Sequence, residues 1–333
     1  MKKAGTVIAV FVFLWCGQNW AGAADPSYPT KPIEIIVGYA PGGGTDLSIR
    51  MAAEITNSKK YLKQQVIVSN KPGGGGRVAM AVVAKAKPDG YTLSGSTDSA
   101  LIMGPHMEPV NYKPLEDFNF IIQLGKLDFA VAVLPDSPFR TFKEMVDYAR
   151  ANPDKLTIGT VGVGTANHVG LEAFFKVENL KVKLVPFAGI SLTMNAFLGK
   201  HVMAASTATD FAGYAPQVKK EGKFRVLAVM SDERLPEYPQ VPTFAELGYQ
   251  YPLVIQSWYL ISGPKDMDKS IANQLGEVLR KAMEAPEYIK LAKDLDIYTE
   301  KPIMGDALRE GLVARNKKNE ELFKRLKMGI YAK

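Results

Sequence analysis

The sequence predicts an α/β protein of two lobes, each a mostly parallel sheet flanked by helices, with a cleft between the lobes. Three observations carry this. Apolar, β-branched runs alternate with helical periodicities in two separate series. Only helical patterns remain near the C-terminal end, and the first series is the one short of helices to cover its sheet. A glycine-rich segment stands between a buried strand and a helix once in each series.

Residues 33–39 form a continuous apolar run, and Leu47, Met51 and Ile55 follow at helical spacing, making a β-turn-α unit. Residues 65–69 read as the next strand and 77–87 as a helix. Residues 91–96 read as a third strand after the turn at Pro88, Asp89 and Gly90. Three strands with two intervening helices imply parallel pairing through right-handed crossovers. The second series reads as strand 129–134, helix 142–151, strand 156–160, helix 167–176, strand 182–186, helix 192–198 and strand 225–230. Residues 255–262 supply another strand, after which Ile271, Leu275 and Leu279, then Leu308, Leu312, Leu322 and Leu326, keep helical spacing. Placing these last helices on the first lobe makes it discontinuous, residues 25–127 and 255–333, with 128–254 as the second lobe. The chain then crosses near 126–128 and returns near 253–256, and two crossings form a hinge.

Residues 1–24 read as an export signal: Lys2 and Lys3 precede an apolar run too short to span a bilayer, and Ala21, Gly22 and Ala23 suit cleavage near Ala23 or Ala24. Cys16 is the one cysteine and lies inside this signal, so disulfide and thiolate chemistry are not expected of the exported chain. Trp15 stands where a lipidated cysteine needs a small neighbour, which favours soluble export to the periplasm. At 47% apolar residues the rest can support two domains, since single cores stop growing near ~250–300 residues. The net charge of +7 is spread over helical segments such as Lys317, Lys318, Lys324 and Arg325, with Glu320 and Glu321 between them. That pattern is a solvated helix face, and no nucleic-acid partner is expected.

The strongest chemical signal is Pro41, Gly42, Gly43, Gly44, Thr45 and Asp46, directly after a strand and before a helix. Glycines let a ligand approach the backbone amides, Thr45 or Asp46 can cap the helix, and the helix start favours an anion such as a carboxylate. A β-branched residue at Gly43 should be excluded both by crowding and by a positive φ. A tight turn with a cap is the plainer reading. Gly162, Gly164, Thr165, Ala166, Asn167 and His168 repeat the construction in the second series. Ligands of open α/β sheets collect at strand carboxyl ends, so both loops should face one cleft. Thr97 beside Ser96, and Thr207 and Asp210 in residues 206–210, follow strand-like runs and could add polar contacts. His168 reads equally as a ligand contact or as helix-start packing.

Enzyme signatures are missing where they should occur. Leu47 stands at the third glycine of a dinucleotide fingerprint, and neither a phosphate-binding loop nor a nucleophile elbow is present. His106, His168 and His201 share no metal-ligand spacing. No catalytic residue, cofactor or metal is therefore expected. Trp258 and Tyr259 read first as core and second as cleft lining.

At these residues the chain resembles the periplasmic substrate-binding proteins of tripartite tricarboxylate transporters, the TctC or Bug family. The resemblance runs through residues 28–33, 41–46, 70–76, 88–93, 162–165, 185–187, 225–229 and 241–244, in that order. It implies a type II-like binding-protein fold, a monomer whose lobes close on a small mono-, di- or tricarboxylate, and two integral membrane partners that accept it. The resemblance implies that the loops 41–46 and 162–168 grip one carboxylate, and the residue reading and the resemblance together give the expected contacts as Tyr39, Ala40, Gly42, Gly43, Asp46 and Thr97 from the first lobe, and Gly164, Thr165, Ala166, His168, Phe187, Ala188, Thr207 and Asp210 from the second. Met203 follows Val202 where the family often has a valine-aspartate pair, which leaves the far half of the pocket unassigned. A sensor for a membrane signalling partner, or a periplasmic hydrolase or isomerase, would use the same cleft.

Overall fold

The protein is described by a computed structural model, which covers residues 27–332 apart from 209–223, 237, 250–255, 296 and 298. Among these residues two five-stranded sheets repeat one topology. The first sheet starts with β1 (Ile33–Val37), whose apolar run is buried at four of five positions, and passes through α1 (Gly44–Ser58) to β2 (Val66–Asn70). Then come α2 (Arg77–Val83), β3 (Thr92–Thr97), the short helices α3 (Asp98–Ile102) and α4 (Gly104–Met107), and β4 (Phe118–Leu127). Asp128 alone separates β4 from β5 (Phe129–Val133) in the second sheet.

The second sheet continues through α5 (Phe142–Ala151), β6 (Thr157–Thr160), α6 (Ala166–Val177), β7 (Lys183–Pro186), α7 (Ile190–Leu198), β8 (Ala204–Ala208) and β9 (Arg225–Val229). The chain returns as β10 (Ser257–Pro264) and ends in α8 (Lys269–Met283), α9 (Pro286–Asp294) and α10 (Gly305–Leu326). Helices α8 and α10 pack on β4, and α8 and α9 pack on α1, so the C-terminal helices cover the first sheet.

The strand orders are β2-β1-β3-β10-β4 and β7-β6-β8-β5-β9. In each, three strands pair in parallel and the fourth is antiparallel to both its neighbours. The reversed strand is in each case the one that enters from the other sheet: β5 directly after β4, and β10 after β9. Each sheet is thus mostly parallel, as expected, and the entering strands run the other way because they arrive without a crossover helix. The carboxyl ends of β1, β3, β6 and β7 lead into the loops that meet between the sheets. Gln256 Nε2 donates to Asp128 Oδ1 at 3.4 Å, tying the two crossings together.

Candidate ligand-binding cleft

Strand β1 delivers the first loop. Gly42 has φ +83, the left-handed turn that carries the chain into α1. Gly43 is the N-cap residue, with an extended backbone and no side-chain cap. Its φ of −86 is open to any residue, so the expected positive φ belongs to Gly42. The first-turn amides of α1 have no intrahelical acceptor.

Asp46 does not cap the helix. Its buried carboxylate accepts from Gly42 N (3.0 Å), Arg50 Nη2 (2.6 Å) and Asn70 Nδ2 (2.8 Å), bracing the loop from behind. Burial works to raise its pKa, but the hydrogen bonds from Arg50, Gly42 and Asn70 prevail and hold it below the ordinary value.

Strand β6 delivers the second loop. Thr165 is the N-cap residue of α6, again without a side-chain cap. Its Oγ1 lies 2.6 Å from Gly162 O and 2.8 Å from Asn167 Oδ1, and Asn167 Nδ2 donates to Ser206 O, which ties the helix start to β8. The amides that open α6, from Ala166 onward, are left without intrahelical acceptors. His168 is buried, with Nδ1 3.0 Å from Thr160 Oγ1 and Nε2 3.6 Å from Glu172. Burial, helped by the charge of Arg77, pushes its pKa down to about 4, so the ring is neutral near pH 7. Its contacts are to Thr160 and Glu172, and it is not among the residues that line the cavity described below.

Strand β7 delivers the third loop. Phe187 N donates to Thr160 O (2.8 Å), and Ala188 O accepts from Ala40 N (3.1 Å), a backbone bond that joins the two halves. Gly189 is the N-cap residue of α7 and has no side-chain cap either. Strand β3 ends in Thr97, which caps α3 by accepting from Ala100 N and sits in a chain of hydroxyls, 2.7 Å from Tyr39 and 2.8 Å from Ser99. Tyr39 Oη also donates to Gly75 O, and burial pushes its pKa up to about 12.

Between these helix starts lies a cavity lined by Tyr39, Gly43, Gly44, Thr45, Thr97, Ser99, Leu127, Phe129, Val161, Thr165, Ile190 and Tyr259. Tyr39, Gly43, Thr97 and Thr165 of the expected set therefore meet on its wall. Ala40 and Ala188 join the halves, Gly42 and Asp46 shape the first loop, and Gly164 precedes the Thr165 cap. Phe187 is half-buried beside Gly159. Thr207 is buried inside β8, paired with Ala130, because the hydroxyl-rich run is itself a strand. Asp210 lies outside the described residues.

Sequence reading missed Leu127, Phe129, Val161 and Ile190, apolar residues with no chemical signature of their own. It also missed Arg77, which is buried and donates from Nη1 to Val163 O (2.8 Å) in the opposite half while pairing with Glu108. A Cβ on Gly75 would lie 2.5 Å from Val163 O, so the halves touch backbone to backbone here. A larger hollow of about 760 Å3 lies beside Arg140, Arg225 and Tyr238. The helix that starts there, α5, already has its cap in Thr141, which accepts from Glu144 N.

Three comparisons bear on this arrangement. The family model described as tripartite tricarboxylate transporter family receptor matches residues 49–321. The "UPF0065 protein in gbd 5'region" of Cupriavidus necator is 37% identical over 280 residues, 84% of this chain and 83% of that protein. The solved structure of the periplasmic binding protein BugD superposes with a TM-score of 0.82 at 27% identity, covering 91% of this chain and 99% of that one. An R. palustris protein solved with adipate has the same fold, with a TM-score of 0.80 at 21% identity over 91% of this chain and 99% of that one.

Proposed function

Because the chain belongs to the tripartite tricarboxylate transporter receptor family, we propose that it captures a small organic carboxylate between its two sheets and delivers it to integral membrane subunits of such a transporter. Its family and structural neighbours are solute-binding proteins, and the BugD likeness supports a periplasmic site of action. Among the described residues no helix is long and apolar enough to cross a membrane. The reading includes a leader removed near Ala23 or Ala24, which lies outside the described residues.

One observation carries the ligand class. Helices α1, α6 and α7 all start at the cavity, and none has a side-chain cap. Each start carries roughly half a positive charge and favours an anion by about 0.3–1 kcal/mol, up to ~2 when partly buried. An uncapped helix start that is closed from water needs a partner, and three around one cavity fit a carboxylate with several oxygen lone pairs to fill.

Entry of a ligand requires the halves to part, because Ala40–Ala188, Gly75–Gly162 and Arg77–Val163 contacts close the cleft. We take lobe 1 as residues 25–127 with 255–333 and lobe 2 as 128–254, moving about Asp128 and the return crossing. Binding to the folded cleft alone stabilises by mass action, about 2.7 kcal/mol at a hundred times the dissociation constant. A thermal-shift screen of mono-, di- and tricarboxylates at millimolar concentration should therefore raise the melting temperature with at least one acid. A flat screen, confirmed by the absence of calorimetric heat, would remove the proposal.

A further inference from the structure

Resting on the proposed reading that the two halves part and close, we infer that Arg77 is a positioning residue for closure, whose guanidinium latches the second glycine loop against the first half. Arg77 opens α2 and is 8% exposed. Its Nη1 donates to Val163 O of the opposite half at 2.8 Å, and its Nη2 donates to Glu108 Oε2 of its own half. Val163 stands two residues before Thr165, the N-cap residue of α6. The bond therefore sets where the start of α6 lies relative to the first half.

The surroundings leave room for the guanidinium and little else. A Cβ on Gly164 would lie 2.5 Å from Arg77 Nη1 and 2.7 Å from Gly104 Cα, and a Cβ on Gly104 would lie 2.7 Å from the same Nη1. The guanidinium thus fills a slot between Gly104 of the first half and Gly164 of the second, which exists because neither carries a side chain. Its charge also reaches His168 in α6, where it disfavours protonation of the ring.

Magnitudes separate this contact from the others that cross the seam. The Ala40–Ala188 bond is neutral on both sides, and on opening each group exchanges it for water at small net cost. Lys176 Nζ donates to Lys327 O at 2.7 Å, but that bond is exposed and water competes for it. The bond from Arg77 is charge-assisted, roughly twice as strong as a neutral one, and its donor is buried. Glu108 belongs to the same half as Arg77, so their ion pair survives opening and keeps the guanidinium aimed at the seam. Less side-chain freedom is then lost on closing.

The test reads the closed-to-open ratio with no ligand present. In a Cys16→Ser background, Gly43→Cys and Ile190→Cys put one thiol on each half. A Cβ on Gly43 would lie 3.8 Å from Ile190 Cβ, which matches the disulfide mean of about 3.8 Å. Disulfide formation reports the closed state and alkylation of the thiols reports the open one, so the ratio of the two rates follows the population ratio. Adding Arg77→Met should lower this ratio about ten-fold. Adding Arg77→Lys, which keeps the charge beside Glu108 but loses the fork, should lower it by roughly three-fold or more. With circular dichroism spectra unchanged, ratios equal to that of the parent pair would overturn the inference. So would a parent pair that never crosslinks, because the halves would then not meet. Since no acid is added, either result leaves the carboxylate proposal to its own thermal-shift screen.

Discussion

Gly43 shows what one missing side chain does. A Cβ there would stand 2.5 Å from Ile190 Cγ2, a side chain of the opposite half. Gly43→Val should therefore leave the fold intact, because φ −86 suits valine, yet hold the halves apart. Carboxylate affinity measured by calorimetry should fall by at least ten-fold, and wild-type affinity in a folded variant would show that the approach of Ile190 is dispensable. His168 gives a pH signature. Its folded pKa is near 4 against 6.5 for the free ring. The unfolded chain thus takes up the proton first, and the His168 contribution is full above about pH 6.5 and is lost as pH falls toward 4. The loss amounts to up to about 3 kcal/mol. Urea titrations across this range should show a shallower fall in stability for His168→Gln than for the wild type; parallel curves would mean that the ring is hydrated. The presence of His168 at a helix start was legible in the sequence. Its neutrality was not, because that comes from burial by α6 and from Arg77, which lies far away in the chain.

At the scale of elements, the strand-loop-helix units at β1–α1 and β6–α6 were legible because each joins a buried apolar run to a helical period across glycines. Two strands escaped. The sequence of β4, FNFIIQLGKL, interrupts its apolar run with Asn119, Gln123, Gly125 and Lys126. The sequence of β8, AASTA, has mostly small side chains and resembles a loop. Both were revealed only by their partners, β4 by β10 and β8 by β5 and β6. The last helix, α10, was readable from Leu308 and Leu312, but its link to the crossing was not. Arg315 Nε pairs with Asp98 Oδ2 at 2.8 Å, and its Nη2 donates to Gln256 O. Asp98 also accepts from Ser257 Oγ and from Trp258 N (2.9 Å), while the guanidinium lies 4.5 Å from the Trp258 ring. Asp98 is 1% exposed, so Arg315→Met would leave a buried carboxylate without its cation. Destabilisation toward the lower end of about 3–5 kcal/mol is expected in urea unfolding, because Arg315 retains some solvent contact. A change below about 0.5 kcal/mol would show the pair to be idle.

In the whole molecule, two sheets of one topology place their strand carboxyl ends against each other, and the site exists only where they meet. Residues from both halves form every side of it: Gly43 and Thr97 from the first sheet, Thr165 and Ile190 from the second, and Leu127, Phe129 and Tyr259 at the crossings. Local patterns in the sequence could place the two glycine loops, since each is a contiguous signal. They could not place the apolar floor, whose residues come together only through the pairing of β10 with β4 and the one-residue link at Asp128. Nor could they place Arg77 against Val163, a contact between residues 86 apart. A ligand can close the halves only by binding the closed state more tightly than the open one, and in the proposed function the uncapped starts of α1, α6 and α7 would supply that difference. The measurement that bears on this most directly is a crystal structure of the protein with the acid that raises its melting temperature most. The carboxylate oxygens should lie within about 2.7–3.2 Å of first-turn amides from both α1 and α6. A ligand seated in the hollow beside Arg140 and Arg225, or one whose carboxylate points away from those helix starts, would contradict the assignment.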